Sequence, residues 1–323
     1  DRIEFFDGVF GTVVLDGQAL SICGDLVIQG PGADLLTFDA QRASRVFEII
    51  FGAEVTLGAV RITGGETDDD GGGIYNKNGT LTITDSTISG NSASDDGGGI
   101  YSNGTLTITN STLSRNSASS GGGIYNSGTL TVTNSTLSRN SASSGGGIYS
   151  SGTLTVTNST LSGNSASNDG GGIRNYGTLT ITNSTLSGNS ASYNGGGIQN
   201  SGTLTITNST LSGNSAGYGG GGGIYGGAGT LTVTNSTLSG NSASYSGGGI
   251  YGHNGELTIT NSTIANNSAD ESGGGIYGEY TLTMTNSIVA ENAAATGPDI
   301  DGTLTDGSDG SDVSDYNLIG IWS

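Results

Sequence analysis

Nine copies of one phrase run through this chain: GGGIY, then GTLTIT, then NSTLSGNSAS. The isoleucine of GGGI falls at 74, 100, 124, 148, 173, 198, 224, 250 and 276. The intervals are 24 to 26 residues, a length at which one repeat is one structural unit that must stack on its neighbours to bury its apolar face. Chains of this kind form solenoids, whose stability grows unit by unit.

Within a repeat the hydrophobic period is 2. In Gly128, Thr129, Leu130, Thr131, Val132, Thr133 the two aliphatic side chains point one way and the threonines the other. No stretch carries a helical period. Three short strand-like runs separated by Gly, Asn and Ser fit each repeat, so a coil is a triangle of strands, and coils stacked at ~4.8 Å give three parallel sheets. Ile124, Leu130, Val132, Leu137 and Ala142 are expected inside, in like-on-like columns. Two asparagine columns, Asn110, Asn134, Asn158, Asn183, Asn208 and Asn116, Asn140, Asn164, Asn189, Asn214, are expected to face inward and pass hydrogen bonds from coil to coil. The 62 glycines and only 2 prolines suit tight corners in an ordered ladder rather than a disordered chain.

The segment GGGIYNSGTLTVTNSTLSRNSAS resembles the right-handed parallel β-helix repeats of bacterial secreted and cell-surface proteins, with chlamydial polymorphic outer-membrane proteins as distant cousins. The resemblance runs from about Ile28 to about Gly320. It implies an all-β, right-handed parallel β-helix with three strands per coil, exported from a bacterium or archaeon, on a fold that hosts many functions. The expected organisation is a single domain over 1–323, with less regular coils in 1–70, nine regular repeats in 71–296 and an acidic coil in 297–323. Such relatives usually carry a signal peptide, a capping segment and often an anchor region. This chain opens at Ile3, Glu4, Phe5, Phe6 and closes on Leu318, Ile319, Gly320, Ile321, Trp322, which reads as a mature, trimmed species.

Charge is concentrated at the two ends of the sequence. Residues 1–96 hold 16 acids and 5 bases, residues 97–255 hold 1 and 3, and residues 256–323 hold 11 and none, for a net charge of -20. That balance argues against nucleic acid and anionic lipid as partners, and no run is apolar enough for membrane insertion. It fits solubility and an extracellular or cell-surface setting. Cys23 stands alone, so no intramolecular disulfide forms, and it is expected as a small buried residue between Leu20 and Ile28. Asp306, Asp309, Asp312 and Asp315 in DGSDGSDVSD, or Asp68, Asp69 and Asp70, suggest calcium, the one cofactor in view. Neither run matches an EF-hand loop or a calcium-binding nonapeptide turn.

Parallel β-helices often act on polysaccharides, through paired carboxylates or through Asp and Arg around calcium on one strand face. Here the outward strand positions are almost all Thr, Ser and Tyr. His253, in the corner GHNGE, and Glu256, in a threonine place, read as surface variation, and Arg115, Arg139 and Arg174 face no acid. The expectation is therefore that the chain is not an enzyme. The outward threonines form a ladder, Thr129, Thr131, Thr133, then Thr153, Thr155, Thr157, then Thr178, Thr180, Thr182, which could bind ice or a surface glycan. A tyrosine column, Tyr75, Tyr101, Tyr125, Tyr149, Tyr225, Tyr251 and Tyr277, is accounted for by self-stacking between coils. The NST triplets match glycosylation sequons, but an inward asparagine favours the ladder instead.

An uncapped β-helix leaves apolar strand edges at its ends. Ile3, Phe5, Phe6 and Leu318, Ile319, Ile321, Trp322 therefore suggest self-association head to tail, a non-closing contact that builds a filament. The reading that follows is a rigid extracellular structural rod, with ice or polysaccharide binding as the alternative and a polysaccharide-active enzyme third.

Overall fold

The computed structural model describes residues 1–5, 8–50, 52–302, 304–306 and 318–320. Every regular element among them is a β-strand, and every strand pairing is parallel. No helix is long and apolar enough to cross a membrane. The strands form three sheets, as the period and the punctuation predict. Two compact units divide the chain, Asp1–Thr155 and Val156–Ser323.

One coil of the first unit shows how the repeat folds. Ile124–Asn126 and Thr129–Thr133 lie in a broad sheet, Thr136–Ser138 in a second sheet and Ser141–Ser144 in a narrow third. Ser127 and Gly128 break the broad-sheet strand into its two pieces. Each residue pairs with its own counterpart one coil away: Ile100 with Ile124, Leu106 with Leu130, Ile108 with Val132, Leu113 with Leu137. All eight side chains are fully buried, which stabilises each by roughly 1.5–3 kcal/mol relative to exposure. The GGG triplet is needed for close approach, because a Cβ on Gly122 would sit on the backbone oxygens of Ser141 and Gly146.

Ala142 is half-buried rather than in the core. Its repeat runs 24 residues, and with so short a corner the narrow strand lengthens to four residues. In the second unit the matching Ala166, Ala191, Ala216 and Ala243 lead into longer corners and are buried.

The two asparagine columns behave differently. The column of Asn116 and Asn140 is buried, as expected. Asn116 donates from its backbone N–H and from Nδ2 to Asn140 Oδ1, both at 3.0 Å, and Nδ2 also donates back to Ile88 O at 3.1 Å. In the second unit Asn164, Asn189, Asn214, Asn241, Asn267 and Asn292 continue this pattern. Among the described residues its last member is buried Asp299, whose Oδ1 accepts from Asn292 N at 3.1 Å and Nδ2 at 2.9 Å. The column of Asn110, Asn134, Asn158, Asn183 and Asn208 is exposed, which corrects the inward expectation. These residues hold φ between 49° and 51°, a left-handed corner that asparagine tolerates, and the corner turns their side chains out. They still bond along the column, Asn134 to Asn110 at 3.3 Å and Asn208 to Asn183 at 3.2 Å. The following serines turn inward instead, so that Ser111 N donates to Ser135 Oγ at 3.1 Å and Ser111 Oγ to Thr109 O at 2.8 Å.

Cys23 is exposed, which corrects its assignment to the interior. It follows the buried Ile22 in a strand that ends there, so the alternation turns it outward.

Candidate active site on the broad sheet

Two coils of the second unit depart from the pattern. Where other repeats break the broad-sheet strand, Ile250–Thr260 and Ile276–Thr285 run through as single strands of 11 and 10 residues. The sequence cause is the replacement of Asn-Ser-Gly by Gly-His-Asn-Gly and Gly-Glu-Tyr. The register slips between His253 and Gly255, so that His253 pairs with Glu279 while Gly255 pairs with Tyr280. Asn254, with φ 55°, is the extra residue of this bulge. Tyr280 turns inward, donates its hydroxyl to Tyr277 O at 2.6 Å, and lies against Gly252 where any Cβ would collide with its ring. Burial, with Tyr251 behind it, holds its phenol well above the usual range.

The bulge leaves three titratable side chains exposed on one face: His253, Glu256 and Glu279. Glu256 occupies the threonine column, between Thr230 and Thr281. One strand spacing and two residues separate Glu256 from Glu279, roughly 8 Å between Cα atoms. A cleft of about 750 Å³ opens there, lined by Thr230, Asn254, Glu256, Glu279, Tyr280 and Thr281 among others. No lysine or arginine follows Arg174 in the sequence, so the cleft offers carboxylates and hydroxyls with no fixed cation, and the His253 imidazole lies on the same face, paired with Glu279. Chemically it can accept hydrogen bonds and exchange protons with a polyhydroxy ligand. Sequence reading had His253 and Glu256 but set them in a turn; they lie in a strand, and stacking supplies the third member, Glu279.

The other sites expected from sequence are placed as follows. The threonine rows are in register within each unit: Thr105, Thr107 and Thr109 pair with Thr129, Thr131 and Thr133, and Thr178, Thr180 and Thr182 with Thr203, Thr205 and Thr207. In each of these strands, and in that of Thr153, Thr155 and Thr157, the first threonine is exposed and the next two half-buried. The tyrosines do stack on one another. Centroids are 5.1 Å apart for Tyr75–Tyr101 and Tyr101–Tyr125, 5.0 Å for Tyr125–Tyr149 and 4.9 Å for Tyr225–Tyr251. Burial, with Asp96 and the neighbouring phenols behind it, pushes Tyr125 up to about 12. Arg174 does face an acid, Asp169 at 3.4 Å, which corrects that expectation. Its guanidinium also lies 5.1 Å over the Tyr176 ring.

A charged cluster in the first unit is already paired. Arg45 donates to Asp70 O at 3.0 Å, sits 3.9 Å from Glu48 and lies 5.1 Å over Tyr75. Burial, joined by Asp95 and Asp69, pushes the Asp70 carboxyl above its usual range against the hydrogen bond from Asp96 N. Among the described residues no group of three or more His, Cys, Asp or Glu is arranged to hold a metal. Asp306 ends the strand Leu304–Asp306, while Asp309, Asp312 and Asp315 lie outside the described residues. Of the terminal apolar residues, Ile3 and Leu318 are exposed, Phe5 and Ile319 half-buried, and Phe6, Ile321 and Trp322 lie outside the described residues.

No curated protein matches the chain. Among solved structures, a mannuronic acid specific polysaccharide family 6 lyase enzyme from human gut microbiota is similar in fold. Its TM-score is 0.51 at 10% identity, over 99% of this chain and 85% of that one. The A-module of the mannuronan C-5 epimerase AlgE4 of Azotobacter vinelandii aligns over 99% of this chain and 88% of its own, with 12% identity and a TM-score of 0.37. The expectation that the chain is not an enzyme is corrected on two grounds. A solved enzyme shares the fold along nearly the whole chain. The premise that the outward strand positions hold no paired carboxylates fails at Glu256 and Glu279, which share a face with His253. A family model described as a right handed beta helix region matches residues 43–161 and 147–315, and the chain belongs to that right-handed β-helix family.

Proposed function

We propose that this protein acts on an uncharged polysaccharide, outside the cell, at the cleft beside Glu256 and Glu279. The observation that carries this reading is the bulged strand pair, which sets two carboxylates and an imidazole on one outer face beside a cleft of about 750 Å³. The neighbouring strands offer threonine at the matching position: Thr230 and Thr281 flank Glu256. The threonine rows of the second unit give an extended polymer a line of hydroxyls leading to the acids.

The chemistry that suits the pair is hydrolysis of a glycosidic bond. One carboxyl, or His253 in its cationic form, gives its proton to the leaving oxygen. The other carboxylate takes a proton from water, whose oxygen bonds to the anomeric carbon as the glycosidic C–O bond breaks. The lyase of similar fold is described as specific for mannuronic acid, a sugar that carries a carboxylate. A cleft with two glutamates and no lysine or arginine in the sequence beyond Arg174 repels such a polyanion. An uncharged glycan meets no such barrier, and a polymer of that size is met outside the cell.

The test is release of reducing ends from a panel of neutral and uronate polysaccharides. Cleavage of a neutral glycan is expected, with loss of about a hundredfold or more in Glu256→Gln and Glu279→Gln at unchanged thermal midpoint. Inactivity on every neutral glycan, or wild-type rates in both variants, overturns the reading.

A further inference from the structure

Two sets of tyrosines in the second unit contrast. Tyr225 and Tyr251 cover each other's faces, with ring planes 6° apart. Tyr193, Tyr218 and Tyr245 do not. They follow the narrow-sheet strands Ser190–Ala191, Ser215–Ala216 and Ser242–Ala243, at the same corner of three successive repeats, and are 50%, 82% and 44% exposed. Tyr193 and Tyr218 have centroids 5.9 Å apart at 44°, so neither ring closes off the other's face. The run has an end on each side. Tyr193 N donates to Asn168 O at 2.9 Å and Glu271 N to Tyr245 O at 2.9 Å, which sets Asn168 and Glu271 in the flanking places.

Nothing in the repeat requires a ring here, since other coils place serine, asparagine or glutamate at this corner. Large aromatic rings left open to water forgo the burial that normally stabilises them. Beside them runs a groove of about 560 Å³ lined by Ser192, Ser215, Ser242, Ser244, small residues and Tyr218, with no charged side chain.

We propose that this corner is a binding surface for an uncharged polysaccharide, separate from the cleft at Glu256. Pyranose rings have an apolar face and hydroxyl edges. The three tyrosines would take the faces, and the serine hydroxyls would bond the edges. Coils follow one another at ~4.8 Å, comparable to the length of one sugar in an extended chain, so three rings serve about three successive sugars. In a protein of net charge -20, an uncharged lining beside open aromatic rings fits a neutral polymer and disfavours a polyanion. The inference rests on the proposed function for the class of polymer, though not for the site.

Binding is measured by retardation in gels containing neutral or uronate polysaccharide. The Glu256→Gln, Glu279→Gln double variant serves as background, so that cleavage does not intervene. Replacing Tyr193, Tyr218 and Tyr245 together by Ala is expected to weaken binding to neutral glycan about tenfold or more, while Tyr218→Trp retains it. Tyr218→Ala alone, at the most exposed ring, gives a smaller loss and keeps the test valid should the triple variant not fold. Wild-type binding by the alanine variants, no binding of any neutral glycan, or equal binding of uronate polymers overturns the proposal. Loss of binding in the tyrosine variants, together with full activity in the separate glutamate variants, would sink the cleft reading and leave this one standing.

Discussion

The coil that begins at Ile124 and the coil that begins at Ile250 are built from the same phrase and put it to different uses. In the first, each strand residue stacks on its own counterpart, mostly of the same kind, and Tyr125 lies between Tyr101 and Tyr149. In the second, a two-piece strand has become one, a bulge has entered, and His253, Glu256 and Glu279 share a face. Self-matched stacking satisfies each surface with the next copy of itself and leaves little for a ligand. Chemistry on such a scaffold has to sit where the repetition lapses.

The contrast breaks most severely at the glycines. Gly122→Ala sets a methyl on the Ser141 and Gly146 backbone oxygens and is expected to cost about 3 kcal/mol or more. Gly226→Ala, in the repeat before the bulge, meets nothing nearer than Tyr251 O at 3.7 Å and is expected to shift stability by less than about 0.5 kcal/mol. Urea midpoints for the two variants measure the difference, and equal values would refute it.

The asparagine columns sharpen the comparison at a smaller scale. Asn116→Ala leaves Asn91 N and Nδ2 without their shared acceptor in a buried place, an expected loss of about 2–3 kcal/mol. Asn134→Gly keeps the left-handed corner and removes only an exposed bond, so a few tenths of a kcal/mol are expected. Thermal melts of the pair should differ by several degrees.

The mildest effect is on alkaline stability. Folding favours the neutral phenol of Tyr125, because burial lifts it from the ordinary value of 10.0 to about 12. Its contribution is complete below the ordinary value and is lost as the pH rises through about 12. Tyr125→Phe should flatten that loss, read as the melting temperature between neutral and strongly alkaline pH. An unchanged profile would show that the stacked phenols are not coupled to folding.

Reading period 2 within a repeat and matching repeats column by column was enough to place Ile124, Leu130, Val132, Leu137 and the Asn116 ladder. The same logic fails at corners. A left-handed residue resets which way the next side chain points, so Asn134, expected inside, faces out and Ser135 faces in. Ala142 moved because its corner is short. The candidate site was half visible: Glu256 interrupts a threonine column and His253 stands out as the only histidine. Glu279 lies one repeat further on, and only the register brings it opposite His253. Tyr193, Tyr218 and Tyr245 were overlooked because they fall in corners, where alternation says nothing about exposure.

The buried asparagine ladder has a consequence for inheritance. Each amide both receives from the coil before and donates to the coil after, so a gene segment encoding one interior coil could be duplicated or lost with every partner replaced in kind. Asp299 is different: its side chain has no amide N–H to donate, and it stands where the donated bonds arrive from Asn292. Copied into the interior it would leave the next coil's acceptor without its donor. Within the second unit the ladder therefore tolerates changes in repeat number upstream of that one aspartate, which works as a terminator that cannot itself be repeated.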